Sequence, residues 1–182
     1  MIHIHEVGGS SPSSPTTRDM KQSAGLLVFK RNGSAIEVLL EHPGGPFWSK
    51  KDSWTVPKGE PKKNEEPIAT ALREFQEETG FALRPEELID LGLIKDDNGK
   101  TNYIWAAEAK LDITQFNCKS YFEIEWPPKS GQRQKFPEAD KIDWFEIGRA
   151  KQKIFKSQVG FIDRLAEILD IDVRTPEQQS LL

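Results

Sequence analysis

The chain has 182 residues, a net charge of −4 and an isoelectric point near 5.5, a length that suits one domain and a balance without the basic footprint of a dedicated nucleic-acid binder, so no stable nucleic-acid partner is expected. No apolar run approaches the roughly 18 residues of a membrane span, and the N-terminus lacks the apolar core of a secretory signal. The single cysteine, Cys118, forms no internal disulfide, reads as a small buried apolar residue, and suits a reducing, cytoplasmic setting.

Residues 1–20, with the run GGSSPSSPTTRDM, are rich in Gly, Ser and Pro and read as a flexible tail. His3 and His5 alternate there as a metal pair could, but an extended tail is the better reading. A folded domain is expected over residues 21–172, with a short tail at 173–182. SAGLLVFK and AIEVLLEH are apolar strand runs joined by Arg31-Asn32-Gly33-Ser34, a hairpin signal centred on Asn-Gly. The Gly- and Pro-rich loop HPGGPFWSKKD leads into the short stretch Trp54-Thr55-Val56.

A helix of about three to four turns is expected from Pro67, a favoured first helical residue, to a stop at Gly80. At about 100° per residue, Ile68, Ala71, Leu72, Phe75 and Thr79 gather on one face. Glu74, Glu77 and Glu78 gather on another at i, i+3 and i+4. Three carboxylates so placed repel one another unless a cation joins them. Hard divalent ions that prefer oxygen ligands, magnesium above all with manganese as an alternative, suit such a set.

Beyond the helix, LIDLGLIK and TNYIWAAEAKLD are strands separated by the turn Asp96-Asp97-Asn98-Gly99. YFEIEWPP alternates as a half-exposed strand does, EWPPKSGQRQKFPEAD reads as a loop, and KIDWFEI reads as a last strand. SQVGFIDRLAEIL sets Val159, Ile162, Leu165, Ala166 and Leu169 at helical spacing, so it closes one face of the sheet. The order predicts an α/β fold, a mixed sheet with helices on both faces.

The segment Gly59 to Phe81 reads G-x₅-E-x₇-R-E-U-x-E-E-x-G-U, where U is bulky and apolar, with Gly59, Glu65, Arg73, Glu74, Glu77, Glu78 and Gly80 in register. This is the Nudix box, and from about Ser23 to about Leu169 the chain resembles the Nudix hydrolases, with Phe75 and Phe81 where the family usually carries Ile, Leu or Val. The resemblance implies an α/β/α sandwich and cleavage of a nucleoside diphosphate linked to another group, by water activated at magnesium. It implies a backbone carbonyl at Lys58 or Gly59 as a metal ligand, and an Arg73–Glu65 ion pair orienting the helix. Glu77 and Glu78 are the leading metal ligands, and Glu74 is either a third ligand or the base that activates water.

Family members often take a further ligand or base from a later loop. Glu138 is favoured for that role over Glu123 and Glu125, since it lies six residues ahead of Trp144. The run Trp54–Glu60 and the strand holding Tyr103 and Trp105 resemble asymmetric diadenosine polyphosphate hydrolases, although the tyrosine that subgroup carries sixteen to eighteen residues past the box is replaced here by Asp97-Asn98-Gly99. The loops HPGGPFWSKKD and EWPPKSGQRQKFPEAD look more like bacterial nucleoside triphosphate pyrophosphohydrolases. Trp48 as a base platform, Lys50 and Lys58 as phosphate contacts, and Tyr103 complete the candidate substrate-binding set. The leading substrate is a dinucleoside polyphosphate such as diadenosine tetraphosphate. The alternatives are a plain or oxidised nucleoside triphosphate and a Nudix domain that binds nucleotides without hydrolysing them. The chain is expected to work as a monomer or homodimer on a small nucleotide.

Overall fold

The computed structural model describes residues 22–84, 87–96 and 98–171; the two expected tails, with His3 and His5, and Asp97 of the expected turn lie outside the described residues. Its organising element is strand β1 (Gln22–Asn32), which pairs antiparallel with β2 (Ala35–Pro43) and parallel with β5 (Thr101–Glu108). With β4 (Ile89–Lys95) beyond β5 and β8 (Ala139–Glu146) beyond β2, the strand order is β4-β5-β1-β2-β8. A two-residue strand β3 (Lys58–Gly59) adds to β1 through Ala24 and Gly25.

A central strand covered on both faces needs apolar residues at both parities, which is why Ala24–Phe29 reads as an unbroken apolar run rather than an alternating one. Ala24, Leu26 and Val28 pack with Ala71 and Phe75 of α1 (Pro67–Thr79). Leu27 and Phe29 pack on the opposite side with Ala150 of α2 (Ile147–Lys153) and Phe161, Ile162 and Leu165 of α3 (Val159–Ile168). The result is a mixed sheet between helical layers, the expected sandwich. Among the described residues no helix is long and apolar enough to cross a membrane.

Some elements differ from the sequence reading. The first hairpin turns on Gly33-Ser34, since Asn32 pairs with Ala35 and Gly33 takes the positive φ of 62°. The loop expected after YFEIEWPP contains a strand, β7 (Arg133–Pro137), which pairs with β6 (Tyr121–Glu125) in a separate two-stranded ribbon. Its residues RQKFP carry almost no apolar alternation, so only the pairing register Tyr121↔Pro137 to Glu125↔Arg133 reveals it. Helix α2 was also absent from the sequence reading. Ile68, expected on the apolar face of α1, is exposed in its first turn.

Candidate active site

Helix α1 starts with Pro67 after an extended Glu66 and ends at Gly80, whose φ of 87° lets its N–H bond the Gln76 carbonyl. Its buried side consists of Thr70, Ala71, Glu74, Phe75, Glu78 and Thr79. Glu74 and Glu78 thus belong to the same stripe as Ala71 and Phe75, not to a separate acidic face, because residues at i, i+3, i+4 and i+7 stack on one side of a helix. Their carboxylates face the β3 loop, which crosses the flank of the helix. Gly59 in that loop is a position where a side chain has no room: a Cβ built there would fall less than 3.0 Å from the carboxyl carbon and both oxygens of Glu74.

Carboxylate oxygens of Glu74, Glu78 and Glu138 lie within 4.8 Å of one another. Glu138 occupies the link between β7 and β8, and its neighbours fix it in place. Its N–H donates to the Ser120 carbonyl at 2.9 Å, its own carbonyl accepts from Gly44 N–H at 2.8 Å, and Ser120 Oγ donates to its carboxylate at 2.8 Å. Glu74 is held by Arg73, whose Nη1 donates at 2.6 Å.

A fourth carboxylate, Glu41, enters the same pocket from β2. Leu39 packs toward α1 whereas Val38 and Leu40 pack toward α3, so strand alternation turns Glu41 toward α1 with Leu39. The sequence reading missed it. The available signal was an acidic residue at a core parity inside an otherwise apolar strand.

The electrostatics follow from this crowding. Burial pushes the Glu41 carboxyl up to about 8, against the pull of Lys58, and neighbouring Glu138 and Glu74 add to the rise. Burial and then Glu41 hold Glu78 well above the ordinary carboxylate range, and burial raises Glu74 despite Arg73. One oxygen of Glu41 and one of Glu78, both Oε2, are buried without a hydrogen-bond partner among the described residues. An all-oxygen donor set, two orphaned carboxylate oxygens and a glycine cradle fit a hard divalent cation.

Arg73 ties the helix to the preceding loop. Its Nε and Nη2 donate to the two oxygens of Glu65, each at 2.8 Å, and Nη2 also reaches the Glu60 carbonyl at 3.1 Å. That bidentate pairing holds the Glu65 carboxyl down at about 2.

The pocket opens into a cleft of about 630 Å³ with Lys58, Gly59, Lys62, Arg73, Lys100 and Phe155 on its walls. An adjoining hollow of about 420 Å³ shares Trp48, Lys58, Lys100 and Phe155 and adds Lys156. Trp48 packs against Phe155 with ring centroids 5.1 Å apart.

The remaining sequence candidates fall elsewhere. Glu77 lines the cleft but turns to Arg73 Nη1 at 2.9 Å and Lys62 at 3.5 Å, outside the three-carboxylate group. Lys50 lies in a separate groove with His42, Asp52 and Asp140, where His42 bonds Asp140 at 2.7 Å and the Lys51 carbonyl at 2.6 Å, while Trp48 of the same loop lines the cleft. Tyr103 stacks on Trp105 and donates to Asp90 at 2.8 Å, beside Pro61, Glu65 and Pro67 rather than in the cleft. Trp54 is core, packed on Phe145 and His42. Glu123 and Glu125 stay on the ribbon, Glu123 beside Arg133 at 3.5 Å and Glu125 accepting from Gly131 N–H at 2.7 Å. Lys100, Ser120 and Phe155, unlike Glu41, had no sequence signal.

A family model described as the NUDIX domain matches residues 19–165, most of the chain, and the chain belongs to that family. It is similar to the mRNA-decapping protein g5R of African swine fever virus, isolate Pig/Kenya/KEN-50/1950, with 32% identity over 93 residues, which cover 50% of this chain and 36% of that protein. It is also similar to the asymmetrical bis(5'-nucleosyl)-tetraphosphatase of Sus scrofa, 32% identical over 100 residues covering 49% of this chain and 65% of the other. In both cases the match spans less than two thirds of the relative's length. Among solved structures, the NUDIX domain of Shewanella oneidensis NrtR complexed with ADP ribose shares the fold, with a TM-score of 0.61 at 16% identity over 87% of this chain and 94% of that one.

Proposed function

We propose that this Nudix-family chain is a magnesium-dependent hydrolase of a pyrophosphate bond in a nucleotide, with a dinucleoside polyphosphate such as diadenosine tetraphosphate as the leading substrate. The observation that carries the reading is the convergence of Glu74, Glu78 and Glu138 within 4.8 Å at a cleft whose walls also carry Lys58, Lys62 and Lys100. Carboxylates alone would repel a polyphosphate; carboxylates with a divalent ion and flanking lysines attract one. A bound magnesium ion supplies Lewis acidity toward the phosphoryl oxygens and toward water.

The chain's own groups do the rest. Glu74, Glu78 and Glu138 would hold the ion, and the missing side chain at Gly59 lets the β3 loop lie directly against Glu74. Arg73 and Glu65 fix the angle of α1 to the loop and so the aim of Glu74. Glu138, anchored by Ser120, and Glu74 are the two candidates to take the proton from the attacking water. Lys58 and Lys100 line both hollows and are placed to neutralise successive phosphates. Trp48 offers a flat face for a base, a contact worth about 1–3 kcal/mol. The adjoining second hollow and the likeness to a tetraphosphatase both favour a substrate longer than a triphosphate. A 5'-capped RNA is the second reading, supported by the likeness to a decapping protein.

Product analysis over a panel of diadenosine tetraphosphate, nucleoside triphosphates and capped RNA, with magnesium, tests the proposal. ATP plus AMP from the dinucleotide is the expected result. Pyrophosphate plus a monophosphate from a triphosphate would move the assignment to that substrate class, and a nucleoside diphosphate released from the cap would favour the second reading. Nucleotide binding without any product would leave a non-hydrolysing binding domain.

A further inference from the structure

Of the six carboxylates that line the pocket, four have partners within the protein: Glu74 and Glu77 are held by Arg73, Glu60 by Lys100 and Glu138 by Ser120. Glu41 and Glu78 have no such hydroxyl or guanidinium donor among the described residues, and their carboxyl groups meet each other instead. Each is almost wholly buried, at 4% exposure, and each keeps its Oε2 without a hydrogen-bond partner among the described residues. Glu41 comes from β2 and Glu78 from α1, and both line the pocket with Lys58 and Glu138. Lys58 is a single cation beside this pair of buried acids, and Glu74 and Glu138 line the same pocket.

The position of Glu41 is not an accident of a loose side chain. Its backbone exchanges both hydrogen bonds with Thr55, at 3.0 and 2.9 Å, and β8 pairs with it through Ile142. Strand geometry therefore forces this side chain into the pocket, and any apolar residue of its size would fill the space without stranding a charge. Burying an acid there makes sense if a cation completes it.

We propose that Glu41 and Glu78 together hold a divalent cation, with Glu41 supplying a protein ligand from β2 that lies outside the Gly59–Phe81 box. This rests on the metal-dependent reading above but concerns binding, not turnover. The cation site is then a two-walled clamp joining the central sheet to α1, and occupancy should brace one against the other.

The test is Mn²⁺ binding to the full chain without substrate, followed by electron paramagnetic resonance of the free ion, for wild type, Glu41→Gln and Glu78→Gln. Thermal melts of the metal-free proteins accompany it. Glu41→Gln should weaken Mn²⁺ at least about tenfold and shrink the rise in melting temperature that the ion produces, while the metal-free variant melts no lower than wild type. Glu41→Asp, which keeps the charge but withdraws it by one methylene, should also weaken Mn²⁺. Affinity within twofold of wild type in Glu41→Gln, with Glu78→Gln weakened, would overturn the role of Glu41 alone. Unchanged affinity in both variants would remove the metal site itself. A metal-free Glu41→Gln that melts well below wild type would also overturn the inference and make Glu41 a structural partner of Glu78.

Discussion

Gly59→Ala tests the packing on which the site depends. The three atoms nearest to a methyl group at this position all belong to the Glu74 carboxyl group, each under 3.0 Å away, whereas non-bonded carbon contacts settle near 3.5–4.0 Å. On the order of 1 Å must therefore be found. Glu74 cannot supply it freely, since it is buried and pulled by Arg73 at 2.6 Å. The loop cannot either, because Gly59 pairs with Ala24 of the central strand. Overpacking of this kind costs about 1–3 kcal/mol, which in a chain of this size lowers the melting temperature by about 2–10 °C. A displacement of 1 Å at a catalytic carboxylate costs about 10²-fold in turnover. Circular-dichroism melts in chelator and steady-state turnover at saturating magnesium measure the two effects. The same change in a Glu74→Ala background should cost almost no stability, because the clashing atoms are gone. Wild-type melting and turnover in Gly59→Ala, or a full stability cost that persists without Glu74, would refute the reasoning.

Glu78→Gln should lower turnover by about 10²-fold or more at fixed magnesium, with no loss of metal-free stability, since burial and Glu41 already disfavour the charged carboxylate there and Gln is its neutral isostere; near wild-type turnover would take Glu78 out of the site. Glu138→Gln should lower turnover with little change in KM, whereas Glu123→Gln on the exposed ribbon should be near neutral, and the reverse order in steady-state kinetics would place the catalytic group on β6. Glu65 has a native pKa depressed to about 2 by Arg73, so its contribution to stability is complete above the unfolded-state value near 4.5 and is lost as pH falls toward 2. Urea midpoints should therefore show Glu65→Gln destabilised by about 1–3 kcal/mol at pH 7, with the gap narrowing steadily as pH falls from about 4.5 toward 2; a gap independent of pH would show that the Glu65 charge contributes nothing.

Whatever depends on neighbours along the chain is legible in the residues alone. Helix α1 is bounded by Pro67 and Gly80 because φ restriction and left-handed freedom are properties of those residues. Glu74 and Glu78 share a side of it because the helical period is fixed. The apolar runs gave the sheet strands because burial on both faces of β1 demands them. What the period could not say is which side of α1 would be covered. Covering by the β3 loop buries Glu74 and Glu78 and leaves Glu77 with Arg73 and Lys62, although all three looked alike in sequence.

Which distant residues meet these two is set by long-range strand pairing. Glu41 comes from β2 and Glu138 from the β7–β8 link, brought to α1 by pairings between residues about a hundred positions apart, such as Glu41 with Ile142. Tyr103 and Lys50 were read as substrate contacts from their closeness in sequence to suggestive segments, but Tyr103 bonds Asp90 and Lys50 lies in the groove with His42. Periodicity sets the direction of a side chain relative to its own element; register, which is a long-range property, sets what that side chain faces.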